Sequence, residues 1–351
     1  MSDALLIYGA TGFTGRLITT AAVALGLRPV LGGRDEAKLA RSAAGLGLEY
    51  RVAPLSDGER LLAALRGIDV VLHAAGPFSE TAPPMVDACL RAGAHYLDIS
   101  GEVPVIERLV RRHQEARRRR IMVMPAVGFD VVPSDCLAAH VANRLPGAER
   151  LTIGISGLKF ATRGSAKTMA EHAGCGVVVR RDGTITSVPP GALWRPFDYG
   201  AGPRRSLNIS WGDVSSAFYT TGIPNIGVYF EATPTLHAML LASRYLGWML
   251  GTAPWQMWLK ACADALPEGQ TEAERAATEM VIVAEVENRE GRRAVARLRT
   301  PEAYTFTGNS AAAIAQRALR GDRENGFQTP GRVYGPDFVL SFNGVHREDL
   351  E

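Results

Sequence analysis

Asp98 and Glu102 flank Ile99-Ser100-Gly101, Asp130 follows Gly128-Phe129, and His172 and Tyr219 lie in the second half of the chain. Each could protonate one atom of a double bond while a hydride reaches the other, a division of labour in which a bound cofactor carries the hydride. Each also has a plainer role open to it. Glu102 could complement a helix dipole, Asp130 could hold a turn, and His172, among small residues, could be a polar group of the core. Cys136 would have to be a thiolate near a helix N-terminus to act as a nucleophile, and Asp135 beside it opposes that charge, so a small buried helix residue is the better reading. The other cysteines, Cys89, Cys175 and Cys262, are widely spaced and form no C-x-x-C pair, which fits a reducing compartment. No His, Asp and Glu residues recur at metal-ligand spacing, and no metal is expected.

A hydride carrier needs a phosphate cradle. Leu5-Leu6-Ile7-Tyr8 reads as a buried strand running into Gly9-Ala10-Thr11-Gly12-Phe13-Thr14-Gly15, and an amphipathic segment begins at Phe13. Gly9 lets the chain reverse, Gly12 lets backbone N–H groups approach a pyrophosphate, and Gly15 lets the helix lie close to the sheet. A purely structural βα turn is the competing reading of this stretch alone. The next strand ends in Gly33-Arg34, at the distance past Gly15 where such folds meet the adenosine ribose. A carboxylate there would hold a 2′-OH, whereas Gly33 leaves space and Arg34 offers a guanidinium to a 2′-phosphate. NADP, entering as NADPH, is therefore the expected cofactor. Lys38 is a candidate second cation, and Asp35 is suited to capping the helix between them.

Around these stretches the chain alternates. Strands are expected over 48–52, 68–73, 95–99 and 121–126, with helices over 57–65, 84–92 and 103–117. That alternation implies a parallel, doubly wound sheet whose ligands bind beyond the strand C-termini. Ala75-Gly76-Pro77-Phe78 and Asp98 to Glu102 fall at that edge with the glycine turn and Gly33-Arg34. Beyond Ser134, expected to cap a helix over 135–143, the pattern changes. Short strands over 151–156, 176–180, 206–210 and 226–231, and a hairpin of 280–287 with 292–299 around Glu290-Gly291, predict an antiparallel sheet. Helices are expected over 166–173, 235–250 and 311–319. The expected class is α/β: a Rossmann-type doubly wound parallel sheet over 1–133, then a second α+β domain with a mainly antiparallel sheet over 134–304. That domain would serve substrate binding and pairing with a second copy as a homodimer, and the segment 305–351 would return to the first domain.

A chain of 351 residues with 46% apolar residues and a net charge of +3 has the makings of a large folded core and gives no reason to expect nucleic acid as a partner. The run Arg117 to Arg120 has no interleaved aromatics and suits the carbonyl end of a helix. With the first strand so close to residue 1, no signal peptide is expected, and the expected location is cytoplasmic. The stretch 238–259 holds Trp248, Trp255 and Trp258, with Arg244, Gly251 and Pro254 interrupting its apolar run. It reads either as a partly buried helix ending near Gly251 or as an amphipathic element docking on a membrane, a lipid-like substrate or a partner chain.

Several stretches together resemble the saccharopine dehydrogenase-like NADP-binding reductases and, within them, the trans-acting enoyl reductases. They are Gly9 to Gly15, Gly33-Arg34, Ala75 to Phe78, Tyr96 to Glu102, Gly128 to Asp135, Trp211-Gly212-Asp213-Val214, Thr221 to Asn225, and Gly326-Phe327-Gln328-Thr329-Pro330. The resemblance implies an NADPH-dependent oxidoreductase, with reduction of a C=C bond in an apolar or lipid-like small molecule the leading expectation. Reduction of a C=N bond is the alternative within the enzymes, for which Arg163, Arg204 and Arg205 would meet an acidic substrate. A non-catalytic NADP-binding or membrane-surface protein is the alternative outside them. A short-chain reductase is excluded by the letters, because no tyrosine has a lysine four residues on.

Overall fold

The computed structural model describes residues 4–158 and 162–351. The chain forms two compact units, one from Met1–Val132 with Tyr304–Val333, the other from Pro133–Ala303 with Tyr334–Glu351.

In the first unit, β1 (Leu5–Tyr8), β2 (Val30–Gly33), β3 (Tyr50–Val52), β4 (Val70–His73), β5 (His95–Asp98) and β6 (Met122–Met124) join the short strand Gly326–Phe327 in a seven-stranded sheet. Every pairing is parallel, and the order runs from Gly326–Phe327 through β6, β5, β4, β1 and β2 to β3. The apolar strands β1, β2 and β4 are buried along their whole length, as a sheet covered on both faces requires. The chain leaves β1 toward β2 and β3, then crosses back to β4 on the other side. A switch point therefore opens between β1 and β4, where such sheets bind dinucleotides.

The helices here are α1 (Phe13–Ala24), α2 (Glu36–Leu46), α3 (Gly58–Ala64), α4 (Phe78–Ala92), α5 (Val103–Val110) and α6 (His113–Arg119). Helix α4 starts six residues before the expected position 84 and carries Pro83 and Pro84 inside it. Pro83 deprives the Ser79 carbonyl of its helical donor, and the Arg108 guanidinium donates to that carbonyl instead at 3.1 Å. The single helix expected over 103–117 divides into α5 and α6, and Arg112 at the junction pairs with Asp87 at 2.7 Å and Glu115 at 2.6 Å. Asp35 caps α2, accepting from the Lys38 N–H at 3.0 Å. The helix Ala303–Leu319 belongs to this unit from Tyr304 onward, and Phe306, Ala311, Ile314 and Ala315 on it are buried.

The second unit is built on a nine-stranded sheet: β7 (Arg150–Ser156), β8 (Val177–Arg181), β9 (Thr184–Val188), β10 (Trp194–Asp198), β11 (Pro203–Ile209), β12 (Asn225–Glu231), β13 (Glu279–Glu287), β14 (Arg293–Pro301) and the terminal strand His346–Asp349. Its pairings are antiparallel except β12 with β7. Ser134 does not cap a helix: the helix runs Val132–Arg144, and the Ser134 hydroxyl inside it donates to Asp213 at 2.9 Å. The helix Asp213–Thr221 was not expected, since its serines and threonines mask the apolar period. The apolar stretch 238–259 is not one helix with a loose flank. It forms Pro234–Leu250 and a second helix, Ala253–Asp264, because Pro254 stands in the first turn, where its missing N–H costs nothing. No helix among the described residues is long and apolar enough to cross a membrane. The segment expected to return as one piece divides, residues 304–333 joining the first unit while His346–Asp349 pairs with β14 in the second.

Candidate functional site

The glycine turn after β1 has the geometry of an anion cradle. Gly9 has φ +88°, and a Cβ on it would stand 2.8 Å from the Ala74 backbone at the end of β4, so the turn and the β4 loop can touch only without a side chain. A Cβ on Gly15 would stand 2.9 Å from the Ala10 Cα, so the first turn of α1 lies directly on the loop. Gly12 is the N-cap of α1; no side chain caps the helix and no acidic residue stands in its first turn. Its partial positive charge is thus left for an anion. The Ala10 to Thr14 backbone forms the rim, fixed by the Arg16 guanidinium donating to the Thr11 carbonyl at 2.8 Å.

At the end of β2, a side chain on Gly33 would meet only Leu39, at an ordinary 3.6 Å, so packing does not demand glycine there. Arg34 is exposed and holds no ion pair among the described residues. Lys38 is also exposed, but its ammonium lies 3.6 Å from Asp35, so Arg34 is the freer cation. Uncapped helix, glycine rim and unengaged guanidinium together fit the pyrophosphate and 2′-phosphate of NADP.

Three carboxyl candidates lie on the same C-terminal edge, past β5 and β6, and their surroundings separate them. Asp98 is fully buried and accepts from the Tyr96 hydroxyl at 2.7 Å, the Ser100 N–H and hydroxyl at 2.9 and 2.8 Å, and the Ala126 N–H at 3.0 Å. Burial raises its pKa while these donors oppose the rise. Its carboxyl is a clamp on two loops, one of which holds Ala126 at φ +58°, with its oxygens already engaged by protein donors. Glu102 is 6% exposed and accepts from the Phe78 N–H at 3.2 Å; it is also the N-cap residue of α5. Asp130 makes no hydrogen bond with any described residue. Its carboxyl lies against Gly101, where a Cβ would stand 2.9 Å from both Asp130 Cβ and Cγ. Burial, and secondarily the Glu102 charge, push the Asp130 pKa up to about 7.

The remaining candidates lie in the second unit. His172 ends the helix Arg163–His172, and its side chain lies outside the described residues. Tyr219, on the helix Asp213–Thr221, is half-buried; its ring meets Phe218 edge-on with centroids 5.3 Å apart, and the Arg180 guanidinium lies 5.8 Å from its centroid. Cys136 is fully buried, and burial, followed by the Asp135 charge, pushes its thiol well above the ordinary range, which excludes a thiolate nucleophile. Arg163 donates to the Leu266 carbonyl at 2.8 Å, and Arg205 lies over the Trp194 ring at 5.0 Å. No group of His, Cys, Asp and Glu able to hold a metal occurs among the described residues.

Two contributors were not singled out in the sequence. His73, at the end of β4, is fully buried among the rings of Tyr8, Phe78 and Tyr96, and neither ring nitrogen has a hydrogen-bond partner among the described residues. Burial lowers its pKa to about 3. The second is Thr307, whose hydroxyl accepts from the Phe129 N–H at 2.9 Å, while Ser310 donates to the Val127 carbonyl at 2.9 Å. Together they fix the loop that carries Asp130. Only the placement of a distant helix reveals them; a histidine ending an apolar strand was the one signal available in the letters.

The switch-point cradle is that of NAD(P)-dependent oxidoreductases with a Rossmann unit. More narrowly, residues 5–124 match the saccharopine dehydrogenase NADP binding domain. The chain is similar to a trans-acting enoyl reductase of Mycobacterium leprae, 35% identical over 150 residues, which are 40% of this chain and 36% of that protein. It is also similar to a lipid droplet localized protein of Caenorhabditis elegans, 30% identical over 144 residues, 37% of this chain and 34% of that one. The matched stretch thus spans about a third of either relative's length. The fold is shared with apo saccharopine dehydrogenase (L-Glu forming) of Saccharomyces cerevisiae, with a TM-score of 0.67 at 14% identity, covering 99% of this chain and 100% of that one.

Proposed function

We propose that the chain is an NADPH-dependent reductase acting on a C=C bond of an apolar or lipid-like small molecule. The observation that carries the cofactor half is the uncapped N-terminus of α1 facing the switch point, with the unengaged Arg34 at the end of the neighbouring strand. Residues 9–15, Gly33, Arg34 and the loop Ala75-Gly76-Pro77 would hold the dinucleotide, and Lys38 adds a weaker charge. Bound NADPH would supply the hydride; the chain's task is to orient the acceptor, exclude water and provide a proton at the other atom of the double bond. The similarity to a trans-acting enoyl reductase supports C=C over C=N chemistry. Fluorescence titration with NADPH and NADH, followed by NADPH consumption with a 2-enoyl thioester and with a cyclic imine, tests the reading. Oxidation by the imine alone would move the chain to the C=N reductases. Tight NADPH binding with neither acceptor consumed would leave a binding protein.

The lipid-like half rests on the second unit. Trp248 is 77% exposed, Met257 73%, Tyr245 65% and Trp258 56%. Leu241, Tyr245 and Trp248 form an outward stripe at i, i+4 and i+7 on the helix Pro234–Leu250, while Leu240 and Leu236 on its inner side pack on Val177, Val179 and Leu207. No Asp or Glu occurs between 232 and 263; Lys260 is paired with Glu171 at 2.7 Å, while Arg244, 5.7 Å from the Tyr245 ring centroid, has no carboxylate partner among the described residues. Aromatic side chains beside a cation suit the headgroup region of an anionic lipid surface. The expected result is co-sedimentation with vesicles containing phosphatidylglycerol, reduced about tenfold in Trp248→Ser/Trp258→Ser as two interfacial side chains are removed. A dimer in solution that ignores vesicles would instead assign the patch to a second copy of the chain.

A further inference from the structure

We infer that Glu102 and Asp130 form an asymmetric carboxyl pair in which Asp130 is the catalytic acid of the reductase and Glu102 is the positioning residue that keeps it protonated. This rests on the oxidoreductase reading above. Within the first unit, the two residues follow adjacent strands, β5 and β6, at the same sheet edge as the glycine cradle. Their roles separate by what each carboxyl touches. Glu102 is buried where two helices begin: it receives the first N–H of α4, from Phe78, and is itself the N-cap residue of α5. Neither helix has another side-chain cap, so both positive ends favour a charge on Glu102. Asp130 has no donor of its own among the described residues, is pressed onto the Gly101 backbone, and feels the Glu102 charge.

Two neighbouring carboxyls in a partly buried site cannot both ionise cheaply, and the one without donors keeps the proton. Asp98, the third carboxyl of the edge, is excluded from this exchange by its own donors. The proton leaves an Asp130 carboxyl oxygen for the substrate atom that does not receive the hydride. The two electrons come with the hydride, NADPH ends as NADP+, and Asp130 ends as a carboxylate that regains its proton from water. Gly101 allows the approach, since any side chain there would displace the Asp130 carboxyl.

The pair can be read without a substrate. In protein labelled with 13C at aspartate carboxyls, one resonance should titrate near neutrality, vanish in Asp130→Asn, and titrate at lower pH in Glu102→Gln. With NADPH and the acceptor that is consumed, Asp130→Asn should keep cofactor affinity while turnover falls by about 100-fold or more, the usual range for loss of a general acid. Wild-type turnover should fall as pH rises through the Asp130 titration, and Glu102→Gln should move that fall to lower pH. No aspartate titrating near neutrality, or a titration unmoved by Glu102→Gln, would overturn the pair. So would Asp130→Asn turning over at the wild-type rate. A protein that binds no NADPH but shows the coupled titration would overturn the cofactor reading and leave the pairing of the two carboxyls intact.

Discussion

At the end of β2, Arg34 is a guanidinium without a carboxylate among the described residues, and its value to the protein is measurable by removing it. A charge-assisted bond from guanidinium to phosphate contributes about 1.5–3 kcal/mol, so Arg34→Ala should weaken NADPH binding by roughly 10- to 100-fold. NADH, lacking the 2′-phosphate, should lose little. Paired titrations with the two cofactors check this, and equal losses for both would remove the NADP preference. The arginine's candidacy comes from its place after a glycine-ended strand. The carboxyls were legible only as a set. Nothing in the letters separates Asp98 from Asp130, because the difference lies in donors that folding brings from elsewhere: the Tyr96 hydroxyl and the Ala126 N–H to one, none among the described residues to the other.

Among the elements, β4 carries an unusual burden. Its last residue, His73, is enclosed by rings from β1, β5 and α4 with no hydrogen-bond partner for either nitrogen among the described residues, and burial lowers its pKa to about 3. An unfolded histidine takes up a proton near pH 6.5. Between those values the unfolded chain binds more protons than the folded one, so stability is complete above about pH 6.5 and is lost as pH falls toward 3, by up to about 1.4 kcal/mol per unit. His95, lowered to about 4 chiefly by burial, acts in the same direction while accepting from the Met122 N–H at 2.8 Å. His73→Phe should therefore flatten part of the acid limb, seen as a smaller drop in urea midpoint between pH 7 and pH 5. An unchanged drop would show that His73 is not the group titrating. The alternation of strand and helix was readable across this unit because β1, β2, β4 and β6 are short, mostly apolar runs. Helix limits were less so. The prolines of α4 read as a start until Arg108 is seen to satisfy the freed Ser79 carbonyl, and Pro254 read as an end until it is seen to open a new helix.

At the scale of the molecule, the chain leaves the first unit after Val132 and comes back at Tyr304. The α/β class with a second, mostly antiparallel sheet could be anticipated because strand period and turn residues are local signals. The division of the C-terminal segment between two sheets could not, since a two-residue strand such as Gly326–Phe327 and the edge strand His346–Asp349 have no period to read. That return has an energetic consequence. Buried Phe306, Ile314 and Ala315 would be missing from a fragment ending at Val132, as would the Thr307 and Ser310 hydroxyls that satisfy the Phe129 N–H and the Val127 carbonyl. Each large apolar side chain contributes about 1.5–3 kcal/mol on burial, and an orphaned buried N–H costs about 1–3 kcal/mol. Those losses approach the whole stability of an ordinary domain, about 5–15 kcal/mol. A fragment of residues 1–132 should accordingly lack a cooperative urea transition and fail to bind NADPH. The same fragment joined through a short glycine-rich linker to residues 304–333 should recover both. Cooperative unfolding and cofactor binding by 1–132 alone would show that the returning helix is an ornament rather than part of the core, and would equally remove Thr307 as the support of the loop that bears Asp130.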